Sequence, residues 1–381
     1  MLLVLAGCGD DPVGPEPPVD SLFERYVALG NSITAGVQGD GINSETQLDA
    51  YPVLLAERMG TDFGIPAIRM PGCPAPFTNP ITRERLDGAS PQSCGLRESP
   101  IPVRVHNLAV PGAGTIDLLT NFHLSASPNV LTQLFLGGRS QIEAAERLNP
   151  TFASLWIGNN EILGPAIDGI VIADSLVSVE TFQARYETVL DRLEGAGARG
   201  GVVLGVADVT LIPHLSSGAH YWDAVQEGLL PPGFHVSEEC APASEGGIGE
   251  EVLVPFAYGF GVLVAGVLDG VEQTLDCLRD LRVLSAREIE ILLDAMVDYN
   301  AIIASEAEAR GWAYLDPNTL FRALLETGHI PPFPLLDTPE SLFGPLFSLD
   351  GIHPSSLAHR ELTNALIDEV NRTYGTSLAP L

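Results

Sequence analysis

Four short runs in this chain are apolar almost throughout, and that constrains its fold more than any other feature. Residues 25–29 (RYVAL), 152–157 (FASLWI), 202–206 (VVLGV) and 312–315 (WAYL) lack the polar alternation of a strand with one wet face. Such strands need cover on both sides, which a parallel sheet between two helical layers provides. The intervening sequence supplies those layers. Residues 52–59, 181–195, 286–310 and 357–374 carry apolar side chains at helical spacing. A further strand is predicted at 103–108, leading into the turn Ala109-Val110-Pro111-Gly112-Ala113-Gly114. The sequence shows no internal repeat.

The 381 residues suit one large domain carrying an insertion. With 45% hydrophobic and 18% charged residues, a full core is within reach and global disorder is excluded. Acidic residues number 49 against 19 basic ones, every one of them arginine, for a formal charge of −30. A surface this negative repels phosphate backbones and anionic lipid surfaces, which argues against nucleic acid as a partner.

The chain opens MLLVLAGC, an apolar run too short to span a bilayer. Residues 1–8 read as the end of a secretory signal peptide. Leu5-Ala6-Gly7-Cys8 resembles the bacterial lipobox, which implies lipidation at Cys8, although no basic stretch precedes the apolar run. Residues 9–24 then form a flexible tether rich in Pro, Asp and Gly, ahead of a domain at 25–376. The expectation is an exported protein, held at a bacterial outer membrane or cell surface through this anchor alone, or otherwise periplasmic or secreted. The remaining cysteines fit that setting. Cys73 lies near Cys94 and Cys240 near Cys277, which suggests two local disulfides among the three connectivities open to four cysteines. Their spacing does not suggest zinc.

Two stretches interrupt the strand–helix alternation. Residues 66–102 are rich in Pro and Gly. Residues 213–284 are too long for a structureless loop and read as a small folded insertion. Inside it, residues 252–268 (VLVPFAYGFGVLVAGVL) carry no charge. Two readings stand: a buried hairpin or helix packed on the main domain, or an apolar cover over an acyl-binding cleft. Tyr221, Trp222 and Phe234 read as the insertion's own small core rather than as the lining of an acyl or sugar site.

In open parallel sheets, ligands collect at the carboxyl ends of the strands. Three clusters of polar residues and glycine follow predicted strands: Gly30-Asn31-Ser32-Ile33, Asn107 through Gly112, and Gly158-Asn159-Asn160-Glu161. A fourth, Asp350-Gly351-Ile352-His353-Pro354, lies near the C-terminus. Ester hydrolysis needs a hydroxyl nucleophile with an adjacent base, a carboxylate to orient that base, and donors aimed at the developing oxyanion. Ser32 suits the nucleophile, His353 the base and Asp350 its partner. Gly112 can bring a backbone N–H close because it lacks a side chain, and Asn160 can offer its amide. Taken singly, each has a plainer reading as a cap, a turn or a structural hydrogen bond. His106 reads as a strand-end residue, His359 as facing away from His353, and Asp208 as part of a cleft wall.

Together and in this order the four blocks resemble the SGNH hydrolases, or GDSL lipase/esterase family, over roughly residues 25–374. The resemblance implies a flavodoxin-like three-layer α/β/α sandwich with a five-stranded parallel sheet. It implies Ser32 as nucleophile, His353 as general base and then acid, and Asp350 as its carboxylate partner. The Ser32 N–H, Gly112 N–H and Asn160 amide would form the oxyanion hole, with no metal or organic cofactor. Asn31 stands where the family has aspartate, Ile33 where it has leucine, and Glu161 where it has aspartate. The implied substrate is a carboxylic ester, either of a lipid or an O-acetyl group on polysaccharide. Acyl transfer on the same site and a non-catalytic glycan-binding lipoprotein are the alternatives.

Overall fold

The computed structural model describes residues 20–381, so Cys8 and the lipobox lie outside the described residues. Strands β1 (Tyr26–Gly30), β2 (Phe152–Trp156), β3 (Gly200–Leu204) and β4 (Ala313–Leu315) form one parallel sheet in that spatial order. Tyr26 lies opposite Phe152, which lies opposite Gly200, and Val202 lies opposite Ala313. All five residues of β1, β2 and β3 are buried, as their apolar runs require.

The strand predicted at 103–108 is reduced to a short ladder on the outer side of β1. Ala28 forms a parallel bridge with Asn107, and the amides of Leu108 and Val110 donate to the carbonyls of Ala28 and Gly30 at 2.8 and 3.2 Å. On the far side, the His106 and Asn107 amides turn to the Gly64 carbonyl, at 2.7 and 3.2 Å, instead of to another strand. Counting this ladder, the order from edge to edge is 2-1-3-4-5, the doubly wound flavodoxin order.

The pleat sends alternate side chains to opposite layers. Tyr26, Phe152, Trp156 and Val202 pack with helices α1 (Tyr51–Met59) and α2 (Ser356–Tyr374). Val27, Leu29, Leu155 and Val203 pack with helices α3 (Val179–Gly195) and α4 (Ala286–Arg310) on the other face. Local sequence sets the helix ends. Ser285 and Glu288 form a reciprocal capping box at the start of α4, and Gly311 closes it in the left-handed conformation.

Disulfides join Cys73 to Cys94 and Cys240 to Cys277. In the second interrupting stretch, Leu215–Ser217 pairs antiparallel with Leu253–Pro255, and Phe234–Val236 pairs parallel with Gln273–Leu275. The uncharged segment becomes that short strand followed by helical turns through Leu268. Phe256, Phe260, Leu263 and Val264 are buried in the same cluster as the α3–α4 side of the sheet, together with Tyr221 and Phe234. Trp222 is only half-buried. Among the described residues no helix is long and apolar enough to cross a membrane.

Candidate active site

The carboxyl edge of the sheet gathers the residues singled out from the sequence. β1 ends at Gly30, and the chain turns at once into a one-turn helix, Ser32–Ala35, capped by the Asn31 side chain on the Ile33 amide at 3.2 Å. That turn brings Ser32 to the sheet rim. Its Oγ lies 2.8 Å from His353 Nε2. His353 Nδ1 lies 2.8 Å from Asp350 Oδ2. The Asp350–His353 loop closes on itself, since Asp350 Oδ1 accepts the amides of Ile352 and His353, each at 2.8 Å. Asp350, His353 and Ser32 are all buried, at 6%, 9% and 8% exposure, so the line is largely shielded from solvent.

Electrostatics fixes the protonation pattern. Burial pushes the Asp350 carboxyl up, but the His353 charge and ring hydrogen bond, with the two loop amides, outweigh it and hold the group well below the usual carboxylate range. Burial lowers His353, but the Asp350 charge and hydrogen bond outweigh it, with a smaller push from Asp40, and the imidazole titrates above its ordinary value. With Asp350 anionic, the neutral imidazole places its proton on Nδ1. Nε2 is then free to accept from the Ser32 hydroxyl.

The expected donors lie on the flanking loops. Gly112 holds φ +84°, and added side-chain carbon there would meet only Asn129 Nδ2 at 3.9 Å. The left-handed backbone, rather than lack of room, is what calls for glycine. The amides of Ser32 and Gly112 find no acceptor among the described residues. Asn160 Nδ2 donates to the Ala113 carbonyl at 2.8 Å, which ties the Asn160 loop to the Gly112 loop. Gly158, before it, has φ +110°, and a side chain would strike Val206 and Phe182 at 2.7 and 3.0 Å.

Gln141, which sequence reasoning passed over, and Asn107 and Glu161, which belong to the predicted blocks, hold this cluster in place. Gln141, on a helix 111 residues away, clasps both polar groups of Gly30: its Nε2 donates to the carbonyl at 2.8 Å and its Oε1 accepts the amide at 2.9 Å. Asn107 Nδ2 donates to the Thr34 carbonyl at 2.8 Å, fixing the turn that carries Ser32. Glu161 accepts the Thr115 amide at 2.5 Å. Burial raises its carboxyl despite that bond. It therefore braces the loop after Gly112 from the helix that carries Asn160.

Two further contacts reach Asp350. The Asp40 amide donates to Asp350 Oδ2 at 2.5 Å. Asp40 sits in the left-handed conformation at φ +52° and is pinned by Arg85, whose Nη2 lies 2.6 Å from Asp40 Oδ2 and whose Nη1 donates to the carbonyls of Ala75 and Asp40 at 2.7 and 3.0 Å. From the other side, His214 Nδ1 lies 2.8 Å from the Asp350 carbonyl, and its amide donates to Gly351 at 3.0 Å. The one sequence signal for the first contact is Gly39-Asp40-Gly41, a turn motif. Nothing local marks Arg85 or His214.

The remaining histidines lie apart from this line. His359 is fully buried on α2, its Nδ1 accepts the Tyr51 amide at 3.3 Å, and burial, helped by the nearby His353, pushes it down to about 3. His106 Nδ1 accepts the Gly64 amide at 2.8 Å. Asp208 caps its own turn through Thr210. Among the described residues no group of three or more His, Cys, Asp or Glu could hold a metal ion.

No family model matches the chain, and no curated protein matches it. Solved structures do. LAE5, an α/β hydrolase from the metagenome of Lake Arreo, Spain, is 15% identical over 91% of this chain and 95% of its own, with a TM-score of 0.38. Axe2, an acetylxylan esterase from Geobacillus stearothermophilus, is 13% identical over 93% of this chain and 96% of its own, with a TM-score of 0.40. Likenesses this loose carry no argument about chemistry.

Proposed function

We propose that the chain is a carboxylic ester hydrolase of the SGNH type, acting through an acyl-enzyme on Ser32. The observation that carries this reading is the buried line Ser32 Oγ–His353 Nε2–His353 Nδ1–Asp350 Oδ2, with 2.8 Å at each hydrogen bond, at the carboxyl edge of a parallel sheet. A structural histidine needs neither a serine on its far nitrogen nor a carboxylate held anionic beside it. As Ser32 Oγ attacks the ester carbonyl, Nε2 takes its proton. The Asp350 carboxylate stabilises the imidazolium that forms, and the carbonyl oxygen becomes an oxyanion facing the Ser32 and Gly112 amides and the Asn160 amide. His353 then returns the proton to the departing alcohol. A water, deprotonated by His353 in turn, releases the acid and restores Ser32.

The packing of 252–268 bears on the substrate. Burial of Phe256, Phe260, Leu263 and Val264 in the core supports the packed reading of this segment over a free apolar cover, which weakens the main argument for a long acyl chain. The reading is a short-chain or O-acetyl esterase, on a protein exported and anchored through Cys8.

Rates on p-nitrophenyl esters of increasing acyl length, and on acetylated polysaccharide, test this. Acetyl to butyryl esters should be preferred, and Ser32→Ala should reduce kcat by at least about 10⁴-fold. Asn160→Ala should cost about 10²–10³-fold. Activity unaffected by Ser32→Ala would defeat the proposal, and no activity of the wild type on any ester would return the chain to the class of non-catalytic binding proteins.

A further inference from the structure

A second concavity lies along the outer edge of the sheet, on the side of the 103–108 ladder. It is an open groove of about 740 Å³, a volume within the usual range for small-molecule sites. Neither Ser32, His353 nor Asp350 is among its lining residues. Arg69, Arg97, Arg104, Arg139 and Arg147 line it, and no acidic residue does. These are five of the chain's 19 basic residues, in a molecule with 49 acidic ones. None of the five lies within ion-pair distance of a carboxylate among the described residues.

Arg97 makes the case sharper. Its Nε and Nη2 are shielded from solvent and have no hydrogen-bond partner among the described residues. Burial of this guanidinium disfavours its charge. The same pair of atoms on Arg192 grips both oxygens of Glu146, at 2.7 and 2.8 Å. A side-on guanidinium fork of this kind matches the two oxygens of a carboxylate or phosphate. A partly buried cation without a counter-charge carries some desolvation cost, and an anion offsets it. Apart from Gln133, the rest of the lining is apolar. Leu96, Ile101 and Val103 are exposed at its rim, Val103 fully. Unpaired charge and exposed hydrocarbon side by side describe a ligand with both characters.

We infer that this cavity binds an amphiphilic anion, its carboxylate or phosphate head held by the arginines and its alkyl chain laid on the apolar rim. The two sources of such a head are a free fatty acid and an anionic phospholipid. The bulk charge of −30 repels anionic surfaces, so this cavity is the local exception through which one anionic molecule is admitted.

Calorimetric titration of the whole protein tests this, using decanoate, decyl phosphate, inorganic phosphate and decanol, all below micellar concentrations. One or both of the anionic amphiphiles should bind at least about tenfold more tightly than decanol and than inorganic phosphate. Tighter binding of decanoate points to a fatty acid, and of decyl phosphate to a phospholipid head. The double variant R97A/R104A should weaken that binding by about tenfold or more, while turnover of p-nitrophenyl acetate stays at the wild-type level. Val103→Ser, at a fully exposed position that does not threaten folding, should weaken the amphiphiles by a few fold and leave inorganic phosphate unchanged. Inorganic phosphate binding as tightly as decyl phosphate would overturn the inference, because the apolar rim would then contribute nothing. No binding of either amphiphile would overturn it too, as would binding indifferent to both variants.

Discussion

The two disulfide-closed stretches both bear on the same aspartate through hydrogen bonds, but they are themselves held by different physical means. The first, residues 66–102, reaches it at one remove: Arg85, with its side chain 6% exposed, pins Asp40, whose amide donates to Asp350 Oδ2. Arg85 lies on a short antiparallel pair, Phe77–Asn79 with Glu84–Arg85, and beyond it Leu96 and Ile101 stand out in solvent. The second, residues 213–284, places the His214 ring on the Asp350 carbonyl and anchors itself by apolar burial continuous with the sheet's own core. The contrast separates two jobs. Apolar burial is non-directional and sets how firmly an element is held. A few directed hydrogen bonds to a strained turn set where one carboxylate points.

If that division holds, damage to the second stretch should appear in stability and damage to the first in turnover. Phe260 stacks on Phe256 with ring centres 4.9 Å apart and lies near Tyr221 and Phe333. Phe260→Ala should cost about 3–5 kcal/mol in denaturant unfolding, with kcat of the folded enzyme little changed. A loss under about 1 kcal/mol would mean that the segment is a loosely held cover after all. Next in size is the Cys240–Cys277 bridge, which closes 37 residues over a buried cystine. Replacing both cysteines by alanine should destabilise the protein by about 2–4 kcal/mol, again without a matching loss of kcat.

For the first stretch the order reverses. Arg85→Ala should lower kcat by about 10–100-fold through misplacement of Asp350, with KM nearly unchanged and less effect on stability than Phe260→Ala. Arg85→Lys should restore part of the loss, since a point charge can meet Asp40 but not the two carbonyls as well. Equal kcat in all three proteins would show that the clamp is structural only.

The smallest effect is on pH dependence. The rate should fall as His353 gains a proton, and because its pKa is raised above the ordinary 6.5, the midpoint should lie above that value. Asp40 contributes to that rise, so Asp40→Asn should move the midpoint down. A midpoint that rises in the variant would contradict the electrostatic account.

Much of this was legible in the sequence. The runs around Val27, Leu155 and Val203 could only be buried parallel strands, and the order of the blocks at Ser32, Gly112, Asn160 and His353 pointed to one sheet edge. The ladder at Asn107 was overread. Val103 and Val105 have strand propensity, but an edge segment keeps its extended pairing only where a partner lies, and beyond this one lies Gly64 and a cavity. Gln141, Arg85 and His214 were invisible for a different reason. Gln141 meets Gly30 across 111 residues and His214 meets Asp350 across 136, and no local pattern encodes such pairings. For the uncharged segment 252–268, composition alone could not separate a core helix from a cover. Its burial depends on Tyr221, Phe333 and Phe343, which come from elsewhere in the chain.

The central claim is that Ser32 is an activated nucleophile. The most direct test is labelling with a fluorophosphonate probe, on wild type and on Ser32→Ala, followed by mass mapping of the adduct. The account predicts a single adduct on Ser32 that is absent from the variant and forms faster as pH rises through the His353 midpoint. A folded wild-type protein that takes no label, or takes it equally well in the variant, would contradict it.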